Sequence, residues 1–229
     1  MNRRIVNRIL HAGPRVGRSA TQFGAVLLLA GVCAAQTVTL TFEGLQDQEH
    51  VLNYYNGGLG GPNYGIVFGA DAIVGVCGSG ANCDFAPSGT GIVYFLNGPG
   101  VIMNVAAGFT TGFSFYYTAV DQTGTVTVYD GLNGSGNVLA TLSLSALGSN
   151  CGGSQYDYSC WASQGVTFSG TAKSVNFSGA ANGIGFDNIT LGSGTATGRL
   201  SITTTSLPNG AILSAYPAFT FAAAGGQAP

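Results

Sequence analysis

Charge is what this chain has least of. Lys, Arg, Asp and Glu make up 7% of its 229 residues, and five of the seven bases (Arg3, Arg4, Arg8, Arg15 and Arg18) lie in the first 18 positions. Beyond residue 35 only Lys173 and Arg199 stand against nine acids, a formal charge of −7. A surface so poor in cations is repelled by phosphate backbones, which excludes nucleic acid as a partner. Histidine is nearly as scarce: after the N-terminal segment only His50 remains. That removes most histidine-based metal hydrolase sites, and any Ser-His-Asp triad would have to use His50. Helical periodicity is missing too, and no apolar run reaches the ~20 residues a membrane-spanning helix needs.

The scarce bases are placed with purpose. The five N-terminal arginines precede an apolar run from Phe23 to Val32, which ends at Cys33-Ala34-Ala35-Gln36. A positive segment, a short apolar stretch and small residues at the last positions form the pattern of a secretory signal peptide. The expectation is cleavage near Ala35, with residues 1–35 removed and the mature chain secreted or held at a cell surface. An uncleaved amphipathic anchor is the rival. Arg3-Arg4 fits twin-arginine export poorly, because the apolar run starts far downstream.

Export bears on the cysteines. Cys33 leaves with the leader, and Cys77, Cys83, Cys151 and Cys160 remain. An even number in an oxidising compartment predicts disulfides. Of the three possible pairings the local one, Cys77–Cys83 with Cys151–Cys160, is preferred. Each pair closes a Gly-rich loop, worth roughly 2–3 kcal/mol in the chain-entropy description. Zinc is the rival, but the spacings do not suit it.

The body of the chain, 36–192, alternates with period two. Val38, Leu40 and Phe42 alternate with threonines, Phe113, Phe115 and Tyr117 with Ser114 and Tyr116, and Val126 and Val128 with Thr125 and Thr127. Val166 with Phe168 and Val175 with Phe177 repeat the pattern, and Gly/Asn-rich breaks separate the runs. About ten strands and no helix are predicted, in an all-β, jelly-roll-like antiparallel β-sandwich. The final strand changes phase: Ile184 and Phe186 share one parity, Ile189 and Leu191 the other. One residue inserted at Asp187-Asn188 predicts a β-bulge, either beside a site or as plain edge protection.

Residues 193–198 read as a Gly/Ser/Thr linker. From Arg199 the chain runs Leu200-Ser201-Ile202-Thr203-Thr204-Thr205-Ser206-Leu207-Pro208-Asn209-Gly210, then Tyr216, then Gly225-Gly226-Gln227-Ala228-Pro229. This resembles the opening of bacterial immunoglobulin-like domains, which implies that 199–229 is an incomplete Ig-like domain and that a longer modular protein continues beyond Pro229. The larger block resembles an exported family of bacteria that carry the PEP-CTERM sorting system. The segments that carry the likeness are Phe42-Glu43-Gly44-Leu45, Asn53-Tyr54-Tyr55-Asn56-Gly57-Gly58, 104–117, 165–175 and Gly185-Phe186-Asp187-Asn188-Ile189. The resemblance implies export and a surface location rather than any activity.

Glu43 follows the first strand and Asp187 sits on the last, and first and last strands are often neighbours in jelly rolls. The arrangement resembles extracellular carbohydrate-binding sandwiches in which an early Glu and a late Asp hold a structural Ca²⁺. Six to eight oxygens are needed, so Asp47, Asp71, Glu49 or Asp84 and backbone carbonyls would have to contribute. The alternative is solvated acids at strand ends. Tyr156, Tyr158 and Trp161, in or beside the Cys151–Cys160 loop, offer aromatic faces for sugar rings, with Asp157 and Gln155 adding hydrogen bonds. The plainer reading has Trp161 beginning a strand and packing inward. The functional expectation is a non-catalytic module that binds a glycan or matrix component. A purely structural surface module is the first alternative, and a glycosidase-like enzyme built on an acid pair the second.

Overall fold

The computed structural model describes residues 37–179 and 181–196, Gly198, and scattered positions between 201 and 224. The stretch read as a signal peptide and most of the stretch read as Ig-like lie outside these. Eleven strands form the body: β1 Val38–Leu40, β2 Ile66–Phe68, β3 Ala72–Val76, β4 Gly91–Phe95, β5 Gly100–Phe109, β6 Gly112–Ala119, β7 Gly124–Tyr129, β8 Val138–Leu144, β9 Ala162–Thr167, β10 Ala172–Gly179 and β11 Ile184–Leu191. Two short pieces, β12 Ser201–Ile202 and β13 Ala223–Ala224, pair antiparallel in the C-terminal segment. No α-helix occurs among the described residues, so none there could cross a membrane.

The first sheet runs β3-β4-β11-β6-β9 with β1 also on β11; the second runs β2-β5-β10-β7-β8, and every pairing is antiparallel. The chain is thus the expected all-β sandwich, and the alternation read from the sequence is the reason. In β5 the buried residues are Val101, Met103, Val105 and Phe109; in β7 they are Val126 and Val128. Phe113, Phe115 and Tyr117 of β6 are sealed from solvent. The two sheets meet through rings: Phe177 of β10 and Phe186 of β11 pack edge-on with centroids 4.9 Å apart, and Phe115 touches both. Burying each such ring contributes roughly 1.5–3 kcal/mol. Both disulfides form as expected, Cys77–Cys83 and Cys151–Cys160, with Cα separations of 4.6 and 5.1 Å.

First and last strands are neighbours, as expected, and β11 changes partner along its length. Its start pairs with β4 through Phe186–Val93, and its end pairs with β1 through Ile189, Thr190 and Leu191. The bulge falls between. Opposite β6, Asp187 faces Tyr116 but Thr190 faces Ser114, so β11 spends one residue more than its partner. Asn188 takes up the surplus at φ 48°, a left-handed conformation that Asn tolerates better than most residues. The bulge therefore sits in the gap between the end of β1 and the start of β4.

Ser193 and Gly194, in the segment read as a linker, lie against the first sheet. Ser114 Oγ donates to the Ser193 carbonyl at 2.9 Å, and Gly194 packs so closely on Gly165 that a Cβ there would strike its carbonyl.

Candidate functional site

The outer face of the first sheet is where the two disulfide loops meet. The Cys77–Cys83 loop follows β3 and the Cys151–Cys160 loop precedes β9. They are stitched together along Asn82–Asp84 and Asp157–Tyr158. Tyr158 N–H donates to the Asn82 carbonyl (3.2 Å), Asp84 N–H to the Tyr158 carbonyl (3.3 Å), and Asn82 Nδ2 to Asp157 Oδ2 (3.1 Å). Cys77, Cys83, Ala86 and Ile92 form a second small apolar cluster here, packed by Ala81, Tyr158 and Trp161. This miniature core holds two otherwise irregular loops rigid on the sheet.

The aromatic residues expected to bind sugar divide into different roles. Trp161 stands just before β9, half-buried in that cluster, and its Nε1–H donates to the Asp84 carbonyl at 2.9 Å. It joins the loops, in line with the inward-packing alternative. Tyr156 donates its hydroxyl to the Gly78 carbonyl (3.1 Å), bridging the loops from outside. Asp157 is exposed and engaged with Asn82. Tyr158 alone of the four borders a pocket, of about 300 Å³, between the loops and the sheet.

The pocket's strand residues are Ile92 and Tyr94 of β4, Thr118 of β6 and Ile184 and Gly185 of β11; Gln48, Asn82, Tyr158 and Asn182 come from loops around it. Period two explains the floor. On β4, Val93 and Phe95 enter the main core, so Ile92 and Tyr94 face out; on β6, Phe115, Tyr117 and Ala119 enter it, so Thr118 faces out. Gln48 Nε2 donates to Tyr94 Oη at 3.1 Å, and Tyr158 Oη donates to the Asn182 carbonyl at 3.3 Å. Partial burial raises the Tyr94 phenol above its usual range, helped by the charge of Asp47, and raises Tyr158, helped by Asp121 and Asp157. Both phenols are neutral donors at any physiological pH. Thr118 is fully buried, and its Oγ1 has no hydrogen-bond partner. Tyr94, Thr118, Gln48 and Asn182 were not candidates from sequence. An outward Thr on a strand carries no sign of which loops will later cover it.

The acids proposed as calcium ligands fall into three places. Asp187, in the β11 bulge, has no exposed surface. Its oxygens accept from Ser88 N–H (2.8 Å), Ser88 Oγ–H (3.1 Å) and Asn188 N–H (2.6 Å). Burial, aided by the neighbouring Glu43 charge, raises its pKa to about 7 against the pull of those donors. Glu43 Oε1 accepts from Thr90 N–H (3.0 Å) and Gly91 N–H (2.8 Å). The two carboxylates together grip the 88–91 segment that leads into β4. Gly89, at φ +40°, leaves room for that grip, since a Cβ there would fall on the Glu43 carboxylate. Asp47 instead accepts from Val76 N–H at 2.9 Å, at the Cys77 loop, and Asp71 is exposed between β2 and β3. Among the described residues no group of three or more His, Cys, Asp or Glu could hold a metal ion. His50 is occupied too, donating through Nδ1 to the Ala70 carbonyl at 2.6 Å.

No family profile and no curated protein matches the chain. Among solved structures it is similar to a family 6 carbohydrate-binding module of Cellvibrio mixtus lichenase 5A in complex with cellotriose, at 12% identity and TM-score 0.38, covering 68% of this chain and 96% of that one. A family 35 carbohydrate-binding module from Clostridium thermocellum matches at 14% identity and TM-score 0.36 over 69% and 98%. The K1 cleaved adhesin domain of Lys-gingipain from Porphyromonas gingivalis matches at 16% and 0.36 over 71% and 99%. Likenesses this distant carry no argument about a ligand. The fold class, a jelly-roll-like β-sandwich, rests on the strand pairing itself.

Proposed function

We propose that this sandwich is a non-catalytic carbohydrate-binding module and that the pocket between Tyr94 and Tyr158 is its sugar site. One observation carries the reading: a pocket of about 300 Å³ bordered by two phenols and three side-chain amides, on loops held by two disulfides. Aromatic faces take the apolar face of a sugar ring, and amides and phenols take its hydroxyls. Rigid loops spare the ordering entropy that binding would otherwise cost. A glycosidase needs two carboxyl groups flanking the scissile bond. Here the pocket's polar lining is amide, phenol and hydroxyl, and the adjacent pair Glu43–Asp187 is engaged by backbone N–H groups elsewhere. A glycan array followed by calorimetry tests the proposal. Tyr94→Ala and Tyr158→Ala should each weaken the best ligand at least tenfold while the fold is retained. Undiminished binding by both variants would refute the site.

The two disulfides support the wider reading of an exported chain that begins with a signal peptide, because such bonds persist in oxidising compartments. N-terminal sequencing of the secreted protein checks the leader: a start at Gln36 supports it and a start at Met1 overturns it. A purely structural surface module is the outcome if no glycan binds.

Calcium is a separate proposal, resting on the closeness of Glu43 to buried Asp187. Backbone carbonyls would have to complete its six to eight oxygens. The N–H donors already on both carboxylates count against it. Millimolar calcium should raise the melting midpoint by several degrees, following RT ln(1 + [L]/Kd). Identical curves with calcium and with chelator would show that the acids serve the loop alone.

A further inference from the structure

We propose that the pocket selects uncharged sugars and rejects uronates and sulfated glycans. The proposal rests on the carbohydrate-binding reading of the same site. Among the described residues no cation lines the pocket: its polar lining is Gln48, Asn82, Tyr94, Thr118, Tyr158 and Asn182. Lys173 is the only lysine or arginine among the described residues; it lies on β10, in the other sheet, beside Asp130. Carboxylates and sulfates are recognised through bidentate Arg or through Lys, and among the described residues this site offers neither.

Its surroundings are instead negative. Asp157 is bonded to Asn82 at the rim, Asp47 acts on the Tyr94 phenol, and Asp121 and Asp157 act on Tyr158. Three acids around one concave site make a field that disfavours an incoming anion. The donors, by contrast, suit neutral hydroxyls. Phenols, carboxamides and an alcohol both donate and accept, as sugar hydroxyls do. The Thr118 hydroxyl, buried and unpartnered at the pocket's strand floor, is the second observation that points to a polar, uncharged occupant.

The test compares hexose oligomers with hexuronate oligomers of the same linkage by calorimetry on the purified protein, at 20 mM and 500 mM NaCl. The neutral oligomer should bind with little salt dependence. The uronate should bind at least tenfold more weakly at low salt, with the gap narrowing at high salt as the Debye length shrinks from roughly 20 Å to about 4 Å. Asp121→Asn should narrow the low-salt gap without weakening the neutral ligand more than twofold. If uronate or sulfated oligomers bind as well as neutral ones, selectivity is refuted and the sugar site stands. If nothing on a broad neutral and acidic array binds, the site reading itself falls.

Discussion

Asp187→Asn should remove a pH dependence that the wild-type chain carries from one buried carboxyl. An aspartate in the unfolded chain ionises near pH 3.9. In the folded chain Asp187 ionises at about 7, because burial in the β11 bulge withholds water from its charge and Glu43 adds repulsion. Between those two values the folded state holds a proton that the unfolded state has released. The unfolded state binds fewer protons, so stability falls as pH rises through this window, and the loss is complete above pH 7. Ionising near 7 when folded and near 3.9 when unfolded makes the penalty about 4 kcal/mol above pH 7. The side chain has no exposed surface, so solvent screening leaves that figure largely intact.

A carboxamide mimics the protonated acid. Its Oδ1 can accept one backbone N–H, and its Nδ2 can donate to Ser88 Oγ, which today donates to Asp187 at 3.1 Å. The assay is denaturant unfolding at pH 4.5, 6, 7 and 8.5 for both proteins. Wild type should lose roughly 3 kcal/mol across the series, and the variant should lose much less, so the stability difference between the two should move by about 3 kcal/mol in the variant's favour as pH rises. Parallel profiles would refute the reasoning and show that Asp187 is ionised throughout. Asp130 does not confuse the result. The Asn137 side chain and backbone bonds hold it below the usual carboxylate range, so it titrates below the window.

Replacing Cys151 and Cys160 together by Ser should lower stability by about 2–3 kcal/mol and, by loosening the loop that carries Tyr158, weaken sugar binding more than the Cys77–Cys83 double variant does; equal effects on binding would contradict the loop argument. Thiol labelling of the denatured, unreduced mature protein should find no reactive cysteine, and two or more would overturn the pairing. Thr118→Val removes a buried hydroxyl that has no partner, so melting should show no loss of stability or a gain of up to about 1 kcal/mol. A loss above 1 kcal/mol would mean that the hydroxyl is paired.

Legibility in the sequence followed the range of the interaction. The core positions Phe113, Phe115 and Tyr117 were readable because strand alternation is local. The disulfides were readable because each closes a loop of fewer than ten residues. The bulge was readable as a parity change between Phe186 and Ile189. Of the aromatic candidates, Tyr158 reached the pocket, while Trp161 and Tyr156 became struts between loops, a division that depends on where Asp84 and Gly78 arrive. Glu43 and Asp187 could be paired from strand-order reasoning, but Asp47 and Asp71 could not be placed, since turns after β1 and β2 send them to different corners.

By itself, then, the amino-acid order determined the strands, the faces they bury, the cross-links and the break in β11, all of which depend on neighbours a few residues away. The pocket was decided only in three dimensions. Gln48, Tyr94, Thr118, Tyr158 and Asn182 come from five separate stretches, and what unites them is the pairing β4-β11-β6 and the two loops laid over it. The burial that drives Asp187 to about 7 is of the same kind, because β1, β4 and the 88–91 segment must first assemble around it. Periodicity encodes which side of a strand faces inward; what covers the outward side is set by sheet order and loop packing, over separations of dozens of residues.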